Sequence, residues 1–219
     1  MLLRSLVLLA TVVAAPVAFA QGLPAKYQAG THYLVIEPAQ PTSAPAGNVE
    51  VVEIFSYACI HCAHFQPMVD RWKAKKPANA TFVYLPAAWS QPWEWTARAF
   101  YAADALGVLD KTHAKFFDAL HVQHVPIKTF DDIAQWYAEN AGVDAAQFTQ
   151  VANSFAINAK IQKSKQSVPR YGVDGTPSLV VAGKYRITGQ TAGGLEQMFD
   201  VADFLIAMES GATPAPAKQ

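Results

Sequence analysis

Two periodicities alternate along the chain, and the places where one gives way to the other divide it. After Asn48, the run Val49-Glu50-Val51-Val52-Glu53-Ile54-Phe55 is nearly continuous in β-branched and apolar residues, the pattern of a central strand buried on both faces. His32 to Ile36 predicts an edge strand, and Pro38, Pro41 and Pro45 make the stretch behind it a loop. Thr81 to Leu85 predicts a third strand. Between the second and third, a helix is expected from at or near Cys59 to about Lys76, kinked at Pro67.

From Trp93 to about Gln166 the strand signal disappears. Trp95, Ala99, Ala102 and Leu106 recur at helical spacing; so do Ile133, Trp136, Tyr137 and Asn140, after the start signal Thr129-x-x-Asp132. Ala152 to Ser167 predicts one more long helix. Ser178–Val181 and Tyr185–Ile187, joined by Ala182-Gly183-Lys184, read as a hairpin, and Leu195 to Met208 as a closing helix. A tail with Pro214 and Pro216 is expected to be disordered. The order β-β-α-β, helical block, β-β-α predicts an α/β mixed sheet interrupted by a helical insertion. The boundaries that follow are a sheet domain over 21–92 and 167–210, a helical domain over 93–166 and a tail over 211–219.

The 219 residues are long enough to bury a sizeable core. The 52% hydrophobic and 16% charged content fits a globular protein, not a disordered one. Seventeen basic residues balance seventeen acidic ones, so no charge excess points to nucleic acid or an anionic membrane. Residues 1–20 read as a cleavable signal peptide, with Arg4 before an apolar stretch ending in Ala18-Phe19-Ala20. A membrane anchor is the alternative, but the stretch is short for a span. Removing Arg4 leaves 16 basic against 17 acidic residues, a net charge near −1 on a chain starting at Gln21. Such a chain works outside the cytoplasm, where disulfides persist; the ending Ala217-Lys218-Gln219 is no endoplasmic-reticulum retention signal, which favours a bacterial periplasm.

In that setting the only two cysteines carry the chemistry. Cys59-Ile60-His61-Cys62 falls at a strand-to-helix junction. A structural disulfide is the plain alternative, yet closing about four residues removes only ~2 kcal/mol of unfolded-chain entropy. Zinc is a second alternative, with Cys59, Cys62 and His61 or His64 as ligands. A structural site needs a fourth, and the remaining pair, His121 and His124, reads as solvated side chains near a helix end. Ala63 stands where a c-type haem motif requires histidine. Thiol–disulfide exchange fits better. Cys59 should have its sulfur at the helix start, facing unpaired N–H groups and the positive end of the dipole, with His61 able to add a hydrogen bond or a charge. Cys62, one turn in, should be the buried resolving thiol. With a Cys59 pKa near 5 instead of ~8.5, the reduced protein gains ~2.7 kcal/mol at pH 7, or about 60 mV of oxidising power.

In combination, Glu53-Ile-Phe-Ser-Tyr-Ala-Cys-Ile-His-Cys62, the helical block after a β-α-β unit, Gly175-Thr176-Pro177 before a strand and Val181-Ala-Gly-Lys-Tyr185 resemble the periplasmic thiol–disulfide interchange proteins of the DsbA type over nearly the whole mature chain. The resemblance implies a thioredoxin fold with an inserted all-helical domain. It also implies donation of disulfides to reduced or unfolded exported polypeptides, and reoxidation by a quinone-linked membrane thiol oxidase of the DsbB type. No metal or cofactor beyond the Cys59–Cys62 disulfide is implied, and a monomer is expected by default. The family is itself known for an acidic active-site cysteine and an oxidising couple, so the resemblance and the pKa expectation are not independent. By position, Cys59 matches the exposed nucleophile, Cys62 its partner, His61 the histidine that stabilises the thiolate, and Pro177 a cis-proline that offers substrate a backbone edge. Thr176 matches the variable residue before it.

Glu53 matches a buried acid beneath the site. A carboxylate inside Val-Val-Glu-Ile-Phe is costly without a partner or a raised pKa, which favours proton transfer toward Cys62 over a strand-end side chain reaching solvent. Ile60 stands where the best-known members have proline, so the strength of the couple is open while the class of reaction is not. Other readings remain: an isomerase or reductase, or a metal-carrying or peptide-binding module without redox turnover. Trp89, Trp93 and Trp95 could line a substrate groove, but packing at the domain junction is the commoner use of such residues.

Overall fold

A computed structural model describes residues 26–211. The expectations for a signal peptide, a start at Gln21 and a tail beyond Gly211 lie outside the described residues. Five strands, β1 (Leu34–Val35), β2 (Val49–Phe55), β3 (Ala80–Pro86), β4 (Ser178–Val181) and β5 (Tyr185–Thr188), form one mixed sheet in the order β1-β5-β4-β2-β3. β2 runs parallel to β3 and antiparallel to β4, and β4–β5 is the hairpin expected from Ala182-Gly183-Lys184. Every residue of β2 is buried, as its nearly continuous apolar run requires, Glu50 and Glu53 included.

The helix α1 (Ile60–Lys73) joins β2 to β3. It runs through Pro67, whose missing N–H leaves one carbonyl a turn earlier without its intrahelical donor. It ends three residues before the expected Lys76 because Pro77 disfavours helical backbone just ahead of it. Five helices then follow: α2 (Gln91–Ala105), α3 (Leu109–His121), α4 (Phe130–Ala141), α5 (Ala145–Ala152) and α6 (Phe155–Arg170). α2 starts on Ser90 with Pro92 in its first turn, where a missing N–H costs least. Thr129 and Asp132 form the capping box at the start of α4.

The helix expected over 152–167 is α6, shifted by three residues at each end, and a separate α5 closes at Ala152 just ahead of it. Asn153 returns its side-chain amide to the Thr149 carbonyl, and Ser154 Oγ accepts from Ile157 N to open a new helix. Asn and Ser in sequence compete with the helical backbone, and here they win. After β5 come a short α7 (Gly189–Ala192) and α8 (Gln197–Glu209); the latter starts two residues later than Leu195.

Alternation along β2 sorts its side chains to two faces. Val51 packs with Phe65, Val69 and Trp72 of α1 and Phe199 and Leu205 of α8. Val52 and Ile54 pack on the opposite face with Val168 and Tyr171. Phe55 and Tyr57, at the outgoing end of β2, belong to a third cluster with Phe100, Phe116, Phe117 and Tyr137 of the helical block. The end of the central strand is therefore packed into the helices.

Candidate active site

The sulfurs lie where β2 hands over to α1. Ser56 turns the chain: its carbonyl accepts from Cys59 N at 3.1 Å and its Oγ from Ala58 N at 3.1 Å. Cys59 is the N-cap of α1 in extended conformation, and its carbonyl accepts from Cys62 N and Ala63 N at 3.1 and 3.2 Å. The first turn of α1 contains no acidic residue, so nothing of opposite sign competes for the helix start. Both cysteines are free thiols; Cys59 is half-buried and Cys62 is fully buried.

The two thiols are pushed apart in acidity. A hydrogen bond from Cys62 is the largest influence on Cys59 and favours its thiolate; partial burial opposes it, and the Thr176 side chain and the N–H groups of Cys62 and His61 add to the first. The result lowers Cys59 to about 5. Burial dominates at Cys62 and raises it well above the ordinary thiol value, with the Cys59 and Glu53 charges acting in the same direction. At pH 6 iodoacetamide should therefore label Cys59 and leave Cys62 intact in the native reduced protein. Peptide mapping checks this, and modification of both sulfurs at equal rates would contradict the asymmetry.

Glu53 lies on β2 with 1% exposure, so it does not reach solvent. Its Oε2 has no hydrogen-bond partner, and burial pushes its carboxyl up to about 8, with Lys73 opposing and Asp70 adding to the rise. From the far side, the Thr176 carbonyl accepts from Cys59 Sγ at 3.3 Å, while the buried Thr176 hydroxyl makes no hydrogen bond of its own. The Thr176–Pro177 peptide is cis, as is Glu37–Pro38, for which the sequence offered no sign. The ring of His61 is exposed; what His61 brings to the Cys59 sulfur is its backbone N–H. Ile60 is 40% exposed beside the nucleophile.

Two histidines of α3 were not legible as part of this region. His121 is not the solvated side chain its place near a helix end suggests, for its Nε2 donates to the Tyr57 carbonyl at 2.7 Å; His113, which no motif marks, meets the Tyr57 hydroxyl at 2.6 Å. His124 is exposed, as expected. The tryptophans divide. Trp93 and Trp95 pack against core clusters, whereas Trp89 is 44% exposed with its ring 4.9 Å from that of Trp93. Among the described residues no group of three or more His, Cys, Asp or Glu side chains is placed to hold a metal. None of the described helices is long and apolar enough to cross a membrane.

An acidic, accessible sulfur one turn from a buried, weakly acidic one, on a thioredoxin-type sheet, defines a thiol:disulfide oxidoreductase. The comparisons agree. Residues 93–205 match the family described as DSBA-like thioredoxin domain. The chain is 38% identical over 186 residues to the thiol:disulfide interchange protein DsbA of Pseudomonas aeruginosa, covering 85% of this chain and 87% of that protein. It is 35% identical over 214 residues to that of Pseudomonas syringae, covering 97% and 99%. A crystal structure of Pseudomonas aeruginosa DsbA superposes with a TM-score of 0.79 at 37% identity, over 84% of this chain and 95% of that one. The oxidoreductase DsbA from Xylella fastidiosa gives 0.78 at 34% identity, over 84% of this chain and 98% of that one. This chain belongs to the DsbA family, and its fold is a thioredoxin fold carrying a helical insertion.

Proposed function

We propose that the protein works as an oxidase, donating a Cys59–Cys62 disulfide to reduced cysteines of exported, folding polypeptides. The observation that carries this direction is the acidity gap: Cys59 lowered to about 5 while burial raises Cys62. A client thiolate attacks Cys59 Sγ of the disulfide, the S–S bond breaks, and Cys62 leaves as a thiolate that takes up a proton. Glu53, protonated at neutral pH and on the same buried side, is the group assigned to supply it. A second client thiolate then attacks the client sulfur of the mixed disulfide and expels Cys59, a good leaving group because its anion is stable. The client loses two electrons and two protons. One proton equivalent remains on Cys62 and the other passes to solvent.

Thr176 and Pro177 are assigned to the client's backbone edge, with Thr176 also turning its hydroxyl to the Cys59 anion; His61 is assigned to the helix-start donors. The sheet domain (21–92 and 167–210) would hold this chemistry and the helical domain (93–166) would cover it. The disulfide is the only redox group the scheme needs. A quinone-linked membrane thiol oxidase of the DsbB type would restore it in the periplasm, where the sequence of residues 1–20 would direct a monomeric protein with no part in nucleic-acid binding. Incubating the oxidised protein with a reduced, unfolded polypeptide should transfer one disulfide per protein within seconds to minutes. A client that keeps its thiols while the protein keeps its disulfide sinks the oxidase reading, and rapid opening of a client's disulfides by the reduced form would turn it toward a reductase.

A further inference from the structure

The residue two before the nucleophile is held at both of its polar ends by one helix of the insertion. Tyr57 is fully buried, with its ring edge-on to Phe55 and Phe116. Its hydroxyl lies 2.6 Å from His113 Nδ1, and its carbonyl accepts from His121 Nε2 at 2.7 Å. The two histidines are spaced two turns apart on α3, so both project from one side of that helix.

The hydrogen-bond roles follow from what each atom can do. Gln66 Nε2 stands 3.0 Å from Asp70 Oδ1, a pure acceptor, and 3.1 Å from Tyr84 OH. That places Gln66 Oε1 opposite His113 Nε2, at 2.9 Å, so Nε2 carries the imidazole proton. His113 Nδ1 is left as an acceptor, and Tyr57 O–H donates to it. Burial, with a smaller contribution from the Lys73 charge, lowers His113 to about 3, which keeps the ring neutral. The chain Tyr57 → His113 → Gln66 → Asp70 thus runs in one direction, from the active-site turn to a surface carboxylate, with each donor satisfied. Each member polarises the next.

The turn itself has few ties of its own. Among the described residues, Cys59 N to Ser56 O and Ala58 N to Ser56 Oγ are its internal hydrogen bonds, and Ala58 is exposed. How the Cys59 sulfur is aimed across the first turn of α1 thus depends on where Tyr57 is fixed.

We propose that His113 and His121 are positioning residues for exchange: they clamp Tyr57 by its hydroxyl and its carbonyl, and so hold the Cys59 sulfur over the N–H groups that stabilise its anion. The helical insertion then sets the chemistry of a sulfur carried by the sheet domain. This rests on the reading of Cys59 as the exchanging sulfur.

The test compares His121→Ala, which removes the hold on the carbonyl, and Tyr57→Phe, which removes the hold on the hydroxyl while keeping the buried ring, with His121→Gln, whose amide can still donate. Ultraviolet absorbance of the thiolate against pH gives the Cys59 pKa, and equilibration with glutathione gives the potential. Each single variant should raise that pKa by about half a unit, and the double variant by about one, from the loss of hydrogen bonds of ordinary strength. One unit corresponds to a tenfold loss of thiolate stability and a potential lower by ~30 mV. His121→Gln should recover most of the change. If both variants keep the parent pKa and potential while melting lower by equal amounts in the oxidised and reduced states, the histidines only pack and the proposal fails. The alkylation map of the parent is a separate arm. Labelling of Cys62 in place of Cys59 would overturn the assignment of the sulfurs; labelling of Cys59 with unmoved variants overturns the clamp alone.

Discussion

Raising the pH from 5 to 7 should stabilise the reduced protein relative to its disulfide form by about 1–2 kcal/mol. Cys59 is lowered in the fold to about 5, against ~8.5 in an unfolded chain. Below pH 5 both the folded and the unfolded reduced chains carry a neutral thiol, and the sulfur contributes nothing. Above it the folded chain releases a proton that the unfolded chain keeps. The stabilisation therefore grows through the window from 5 to ~8.5, and is lost again as pH falls through the folded value. Taken whole, the shift is worth ~2.3 kcal/mol between pH 5 and 7; because the sulfur is half-exposed, solvent screening reduces it to the range above.

The oxidised protein has no such thiol, so subtracting the two stabilities cancels the groups common to both. Closing the small ring favours the oxidised state by up to ~2 kcal/mol at every pH, less any strain. The slope is thus the diagnostic quantity, more than the sign at any single pH. Paired urea titrations of the two redox states at several pH values measure it. A difference that stays flat from pH 5 to 8 would mean that Cys59 is an ordinary thiol, and the driving force for donation would vanish with it.

Replacing Glu53 by glutamine should stabilise the protein at neutral pH while impairing turnover. The carboxyl is fully buried with one oxygen unpaired and is pushed up to about 8. Below about pH 4.5 folded and unfolded chains both hold its proton and nothing is lost. As pH rises toward 8 the unfolded chain ionises and the folded chain cannot follow, a penalty of ~3 kcal/mol at pH 7 on the linkage relation. Stability contributed by the protonated form is present at acid pH and lost as pH rises through the folded value. The variant, which does not titrate, should unfold like the parent near pH 4 and lead it increasingly up to pH 8. Its cost should fall on the step that expels Cys62, slowed tenfold or more without the proton donor. Stopped-flow oxidation of a client peptide reads that step. Equal rates in parent and variant, together with the stability gain, would reduce Glu53 to a burial defect without a chemical role.

The sequence made some of this legible for reasons that are local. Val49 to Phe55 announces a buried strand because every position is apolar or must be explained, and Glu53 is conspicuous there by its cost. Thr129 and Asp132 announce a helix start because a capping box is a contiguous device. Cys59 at a strand-to-helix junction places a sulfur at a helix start without any tertiary knowledge. α6 starts after Ser154 and not at Ala152 because the Ser154 side chain caps it, and a side-chain cap does not register in apolar periodicity. The hold on Tyr57 was out of reach for another reason. His113 and His121 lie 56 and 64 residues away from it, and only the packing of α3 against the end of β2 brings them together. A histidine on an apolar helix face carries no sign of the partner it will meet.

One consequence concerns how readily such a protein can be retuned. The opening turn of α1 is free of carboxylates, and its second cysteine is sealed in the interior, so two chemically identical thiols have become different reagents through where the fold places them and what it sets beside them. Position 60, partly in water between them, lies at the rim of that interior. A substitution at that rim position would leave untouched the interior that makes the two sulfurs unequal.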